Sequence, residues 1–250
     1  MKALLLAVAL LSSNVYATTI DLFDHDQGPL VATVGETIFN SVSGTGILGG
    51  YRDVVVSNYS GLNAGSSATL QVDYSNLTFS ADSTVEASFW IQWDGNDNSA
   101  SVNTTGLMDS FGNGKDLTGS SFETETLFAD ENYLFDIEVW WDQGTKSEKV
   151  TLLGPGTEDY NNPLLAHLSC SVFDFADLTD VTALVVGGNV SAPADYLNLI
   201  GGSDDIVEGT VVPAFDVTIG SIQTVQVPEP ATAAMFLLGI AGLAASRKVV

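Results

Sequence analysis

The chain has 250 residues, of which 31 are acidic and 7 basic, giving a formal net charge of −24 with histidine neutral. A surface of that sign repels phosphate backbones, which excludes nucleic acid as a partner. One cysteine excludes an internal disulfide framework and any cysteine-built zinc cluster, two histidines leave little for zinc or proton relays, and a 45% hydrophobic content excludes a disordered acidic tail.

The first segment reads as a signal peptide over residues 1–17. Lys2 supplies the positive start, Ala3 to Leu11 the short apolar run, and Val15-Tyr16-Ala17 the small residues before a cut. The run is too short to span a hydrocarbon layer about 30 Å thick. With Lys2, Arg247 and Lys248 set at the two ends, the body between them keeps four basic residues against thirty acidic ones, a charge of −26.

Over residues 18–226 the signal is alternation. Strands are expected at Ile20–Phe23, Thr37–Val42, Arg52–Ser57, Thr69–Tyr74 and Asn76–Ser80. From Thr84, the residues Val85, Ala87, Phe89, Ile91 and Trp93 face one way, and Glu86, Ser88, Trp90 and Gln92 the other. After Phe122–Phe128, the same period puts Tyr133, Phe135, Ile137, Val139 and Trp141 opposite Leu134, Asp136, Glu138 and Trp140. Lys146–Leu153, Val181–Val186, Ala194–Leu199 and Ala214–Gln223 complete about a dozen strands. Period-two spacing sends alternate side chains to opposite faces of a pleated strand. Gly- and Asn-rich turn signals, among them Asp94-Gly95-Asn96 and Gly187-Gly188-Asn189, punctuate the runs. Many short strands without helices predict a single all-β sandwich of jelly-roll type.

The last segment, residues 227–250, has three parts in fixed order: Val227-Pro228-Glu229-Pro230, the apolar stretch Ala231 to Ala245, and Arg247-Lys248. The prolines end the last strand, and the basic pair orients a short transmembrane helix with its N-terminus outside. These residues resemble the PEP-CTERM sorting signal of Gram-negative bacteria. The resemblance implies recognition by exosortase, a membrane protease, after a transient stay in the inner membrane. It also implies delivery of the body to the cell surface or the extracellular matrix of a biofilm.

A second resemblance covers the body. Asp21-Leu22-Phe23, Ile47 to Asp53, Gln92-Trp93-Asp94-Gly95 and Phe215 to Ile219 are similar to a pattern recurring in exported proteins of that kind. The pattern in turn resembles galactose-binding-like jelly rolls, the architecture of many carbohydrate-binding modules. In jelly rolls of this kind a structural calcium often sits beside the paired terminal strands. This implies Asp21, Asp24, Asp26 and Asp216 as Ca²⁺ ligands, against the plainer reading of a solvated acidic segment.

Further candidates come from the residues themselves. Trp90 and Trp140 stand on polar strand faces beside Gln92 and Glu138. They read either as a stacking platform for sugar rings or as a second layer covered by loops. Asp94-Gly95-Asn96-Asp97-Asn98 spaces oxygen ligands as a calcium loop does, but Ser99 and Thr105 replace the glycine and glutamate of the EF-hand, so a hairpin turn is the preferred reading. Arg52 is expected to pair with a carboxylate near Asp53 or with Asp136. Cys170, three residues from His167, reads as an inert thiol. Asp204, Asp205 and Glu208 read as a solvated loop, and Asn58, Asn76, Asn103 and Asn189 open Asn-x-Ser/Thr sequons. The expectation is therefore a non-enzymatic, polysaccharide-associated binding or structural module. The alternatives are a polysaccharide hydrolase or lyase working through a pair such as Asp136 and Glu138, or a matrix subunit that binds only itself.

Overall fold

The structure is a computed structural model that describes residues 18–61, 63, 65–96, 98–117, 120–130, 133–154, 164–168, 173, 175–190 and 214–226. Its strands are β1 (Thr18–Asp21), β2 (Gln27–Thr33), β3 (Thr37–Ser43), β4 (Tyr51–Ser60), β5 (Ser67–Asp73), β6 (Asn76–Ala81) and β7 (Glu86–Trp93). After a long connection follow β8 (Ser120–Ala129), β9 (Tyr133–Trp141), β10 (Lys146–Gly154), β11 (Leu164–Leu168), β12 (Ala183–Val190) and β13 (Phe215–Gln226). One 3-10 turn, Leu48–Gly50, is the only helical element among the described residues, and no helix among them is long and apolar enough to cross a membrane. The signal peptide, the sorting segment, the Ala194–Leu199 strand, Cys170 and the Asp204–Glu208 cluster lie outside the described residues.

The strands pair antiparallel into two sheets. One is seven-stranded, ordered β11-β8-β13-β6-β5-β2 with β1 added against β13; the other is six-stranded, ordered β10-β9-β12-β7-β4-β3. The expected alternation sets the inner faces. On β7, Ala87, Phe89, Ile91 and Trp93 are all fully buried, and on β9 Phe135, Ile137, Val139 and Trp141 are at most 8% exposed. Phe79 of β6 meets Phe89 of β7 across the sandwich with ring centroids 4.8 Å apart. Each such side chain taken out of water stabilises the fold by roughly 1.5–3 kcal/mol.

Four features differ from the sequence reading. β2 is a strand although Gly28 and Pro29 interrupt its pattern; it sits at the edge of its sheet, where a proline removes no needed ladder bond. β11, also an edge strand, pairs with β8. Tyr74, expected to end the Thr69–Tyr74 strand, stands instead in the β5–β6 turn at φ 51° and is 85% exposed. Gly187 and Gly188, read as a turn, lie inside β12 between β7 and β9.

In-register pairing draws rows of side chains across the outer face of the six-stranded sheet. One row runs Phe39, Val55, Trp90, Gly187, Asp136, Thr151. The next runs Ser41, Asp53, Gln92, Val185, Glu138, Lys149.

Candidate functional site

The first of those rows is the centre of the candidate site. Trp90 is half-buried, and its indole lies against the Cα of Gly187 on the neighbouring strand: a Cβ at that glycine would collide with the Trp90 ring and with the Phe89 carbonyl. A glycine inside a strand marks such a close approach. The ring therefore rests against the Gly187 backbone, which leaves no room for a side chain there. Phe39, 41% exposed, stands two strands away in the same row, roughly 10 Å off at the ordinary interstrand spacing. Tyr59, 58% exposed, reaches over β7, where its hydroxyl is 2.7 Å from Ser88 Oγ. Sequence reading missed Phe39, Tyr59 and Gly187. The signal for Phe39 and Gly187 lay in cross-strand register, which no single strand displays.

On the other side of Trp90 the row turns polar. Asp136 is half-buried and accepts hydrogen bonds from Lys149 Nζ at 3.1 Å and Thr151 Oγ1 at 2.5 Å. Glu138 is half-buried opposite Lys149. Trp140 is half-buried too, but its Nε1 is enclosed without a hydrogen-bond partner. Gln92 departs from the expectation of a solvent-facing sugar ligand. It is 4% exposed, covered by the β7–β8 connection, and its Nε2 donates to the Ala100 carbonyl at 3.2 Å. The Asp94–Asn98 segment is correspondingly not a hairpin turn; it opens the connection 94–119. Asp94 is fully buried and accepts the Asn103 amide at 2.6 Å.

The four aspartates expected to hold calcium are not brought together. Asp21 and Arg52 are both fully buried and form an ion pair at 2.9 Å on the inner side of the sandwich. Asp21 Oδ1 also accepts the Phe23 amide at 2.8 Å, and Oδ2 accepts Trp93 Nε1 at 3.0 Å. Arg52 donates from Nε to Gln27 Oε1 at 2.8 Å and from Nη2 to the His25 carbonyl at 2.6 Å, and its guanidinium stands 5.4 Å from the Phe23 ring centroid. Burial pushes the Asp21 carboxyl above its usual range, and Arg52, the Phe23 amide and the Trp93 indole draw it back. Asp24 and Asp26 are exposed. Asp216 lies on β13 six residues before Ile222, the partner of Asp21, and so roughly 20 Å along the strand. Among the described residues no three His, Cys, Asp or Glu side chains gather to hold a metal. The Arg52 partner is thus Asp21 rather than Asp136 or a carboxylate near Asp53, because Arg52 faces inward with Val54 while Asp53 faces out. Asn58, 1% exposed, donates to the Ala32 and Ser66 carbonyls at 3.2 Å each, which closes that sequon in the folded chain.

Residues 226–248 match the PEP-CTERM protein-sorting motif, so the chain is an all-β sandwich followed by a sorting signal. No relative of curated function matches it. Among solved structures it is similar to the family 11 carbohydrate-binding module of the cellulosomal cellulase Lic26A-Cel5E of Clostridium thermocellum, at 9% identity and a TM-score of 0.38, over 86% of this chain and 97% of that one. The family 11 module solved with a beta-1,3-1,4-mixed-linked tetrasaccharide gives 9% and 0.33, over 85% and 96%. The family 30 carbohydrate-binding module of Cel9D-Cel44B from the same organism gives 12% and 0.36, over 84% and 96%. At these values the likeness is one of architecture alone.

Proposed function

We propose that this is an exported protein whose membrane-anchored precursor is processed by exosortase, and whose body then binds an extracellular polysaccharide at the cell surface or in the matrix, without catalysis. The sorting motif supports export. The observation that carries the binding reading is the Trp90 indole, seated on Gly187 in the middle of a sheet face and flanked in register by Phe39 on one side and Asp136 on the other. An indole resting against backbone offers a sugar large contact area at low entropic cost, and carboxylates in the same rows accept hydroxyl hydrogen bonds. Asp136 is engaged by Lys149 and Thr151. That suits a fixed acceptor better than a carboxyl that must gain and lose a proton, as hydrolysis requires.

Affinity measurements with host exopolysaccharide test this. Trp90→Ala is expected to weaken binding at least about tenfold, or 1.4 kcal/mol, with little change in Tm and no reducing-sugar release by either form. Unchanged affinity with a large fall in Tm would make Trp90 a packing residue, and steady release of reducing ends would make the chain a hydrolase.

A further inference from the structure

We propose that the end of the sandwich where the chain leaves for its sorting segment is a membrane-docking surface, and that Phe111 and Phe175 enter the lipid headgroup layer from it while the precursor is anchored. The docking surface rests on the anchored-precursor reading above. Register fixes which end this is. Thr18 of β1 pairs with Thr224, and Ser120 of β8 pairs with Gln226, so the starts of β1 and β8 meet the last residues of β13 at one end of the seven-stranded sheet. Across the sandwich, Trp93 Nε1 reaches Asp21 Oδ2 at 3.0 Å, which brings the last residue of β7 to the same end. The connection 94–119 starts there. The Leu107 amide donates to the Thr182 carbonyl, Lys115 pairs with Val181, and the Leu117 amide donates to the Leu178 carbonyl. Gly144, in the β9–β10 turn, abuts Thr104. The connection, the stretch 175–182 and the β9–β10 turn thus cap this end together.

Phe111 and Phe175 project from that cap, 88% and 83% exposed. Each is held out by a carboxylate that takes two backbone amides. Asp109 Oδ1 accepts those of Phe111 and Asn113 at 2.8 and 3.0 Å, and Glu148 Oε2 those of Phe175 and Ala176 at 2.9 and 2.7 Å. Large rings fixed in water gain nothing from folding; a partner that takes them out of water does gain. The tether says which partner. The apolar stretch opens at Ala231, five residues after Gln226, so at most about 18 Å of chain separates the end of β13 from the hydrocarbon layer. The length of β7 sets the opposite end, with Val34 and Tyr59, roughly 25 Å further off. A tether this short holds the cap against the surface at high effective concentration, so two rings suffice without a large patch. Arg52 is buried, so the exposed cations of the body, Lys115, Lys146 and Lys149, lie on the cap or on the β10 strand that leaves it. Asp109, Asp116, Asp142 and Asp177 are exposed on the cap as well. The contact is therefore apolar, under zwitterionic headgroups, and not an attraction to anionic lipid.

The test uses the full chain reconstituted into phosphatidylcholine vesicles doped with phosphatidylcholine that carries a diazirine near the headgroup end of one acyl chain. Vesicles are floated, illuminated and digested, and lipid adducts are mapped by mass spectrometry. Adducts at Phe111 and Phe175 are expected to exceed those at Val34 and Tyr59 by about tenfold or more. The Phe111→Ser/Phe175→Ser variant should still float through its apolar stretch and keep its Tm, because both rings are exposed. Labelling of the two loops should then fall by about fivefold or more. Labelling confined to the apolar stretch, or loop labelling that survives the double substitution, overturns the docking surface and leaves the anchor standing. Failure of the chain to float with the vesicles overturns both. Crosslinks between two copies through these loops, in place of lipid adducts, make the cap a self-association face and overturn the proposal.

Discussion

Arg52 shows at the scale of a single residue how far local pattern reaches. It is one of four basic residues in the body, and scarcity alone pointed to a carboxylate partner. Strand alternation already ruled out its neighbour Asp53, since successive side chains leave opposite faces. Asp21 became the partner only when β1 was laid on β13, a pairing between the two ends of the body that no local spacing displays. Every donor the guanidinium uses is met by Asp21, Gln27 or a backbone carbonyl, so removing the cation leaves the Asp21 carboxylate buried without its charge partner. Arg52→Met is therefore expected to cost about 3–5 kcal/mol in urea unfolding. A loss below about 1 kcal/mol would mean that Asp21 is held well enough by the Phe23 amide and the Trp93 indole.

At the scale of elements, the strands with clean alternation were legible and the edge strands were not. β7 and β9 are buried on one face with polar residues on the other, so their sequences carry period two. β2 carries Gly28-Pro29 because an edge strand tolerates it, and that tolerance erases the pattern. The long connection after β7 was misread for a related reason. Asp, Asn and Gly signal a reversal, yet here they form a chain of side-chain-to-backbone turns that lay the segment over the sheet. One of these makes a pH prediction. Asp109 Oδ1 accepts the amides of Phe111 at 2.8 Å and Asn113 at 3.0 Å. The Asn113 amide first, then the Asn113 side chain and the Phe111 amide, hold the Asp109 carboxyl below its ordinary value of 3.8. A carboxyl whose folded pKa is lowered contributes stability that is present above the unfolded value and lost as pH falls through the folded one. Amide exchange at Phe111 and Asn113 is thus expected to speed up below pH 3.8 while the β7 and β9 amides stay protected. Equal loss everywhere would mean that this turn opens only with the whole domain.

For the whole molecule, the two-sheet architecture was legible because a dozen short alternating runs without helical period leave few other folds. The site was legible only in part. Trp90, Asp136, Glu138 and Trp140 could be placed on outward faces from their own strands. Their neighbours Phe39 and Gly187 could not, because those sit on separate strands that meet only after the sheet forms in the order β9-β12-β7-β4-β3. The acidic body also limits what can dock there. A charge of −26 over residues 18–226 repels polyanions at low salt. On the proposed reading, that favours neutral over acidic polysaccharide at the Trp90 face. The most direct measurement is oxidative footprinting by mass spectrometry, with and without host exopolysaccharide. Binding on the outer face of the six-stranded sheet predicts protection of Phe39, Tyr59 and Trp90, with Tyr74, Phe111 and Phe175 oxidised as before. Protection confined to Tyr74, Phe111 or Phe175, or none at any residue while the polymer is bound, would contradict it.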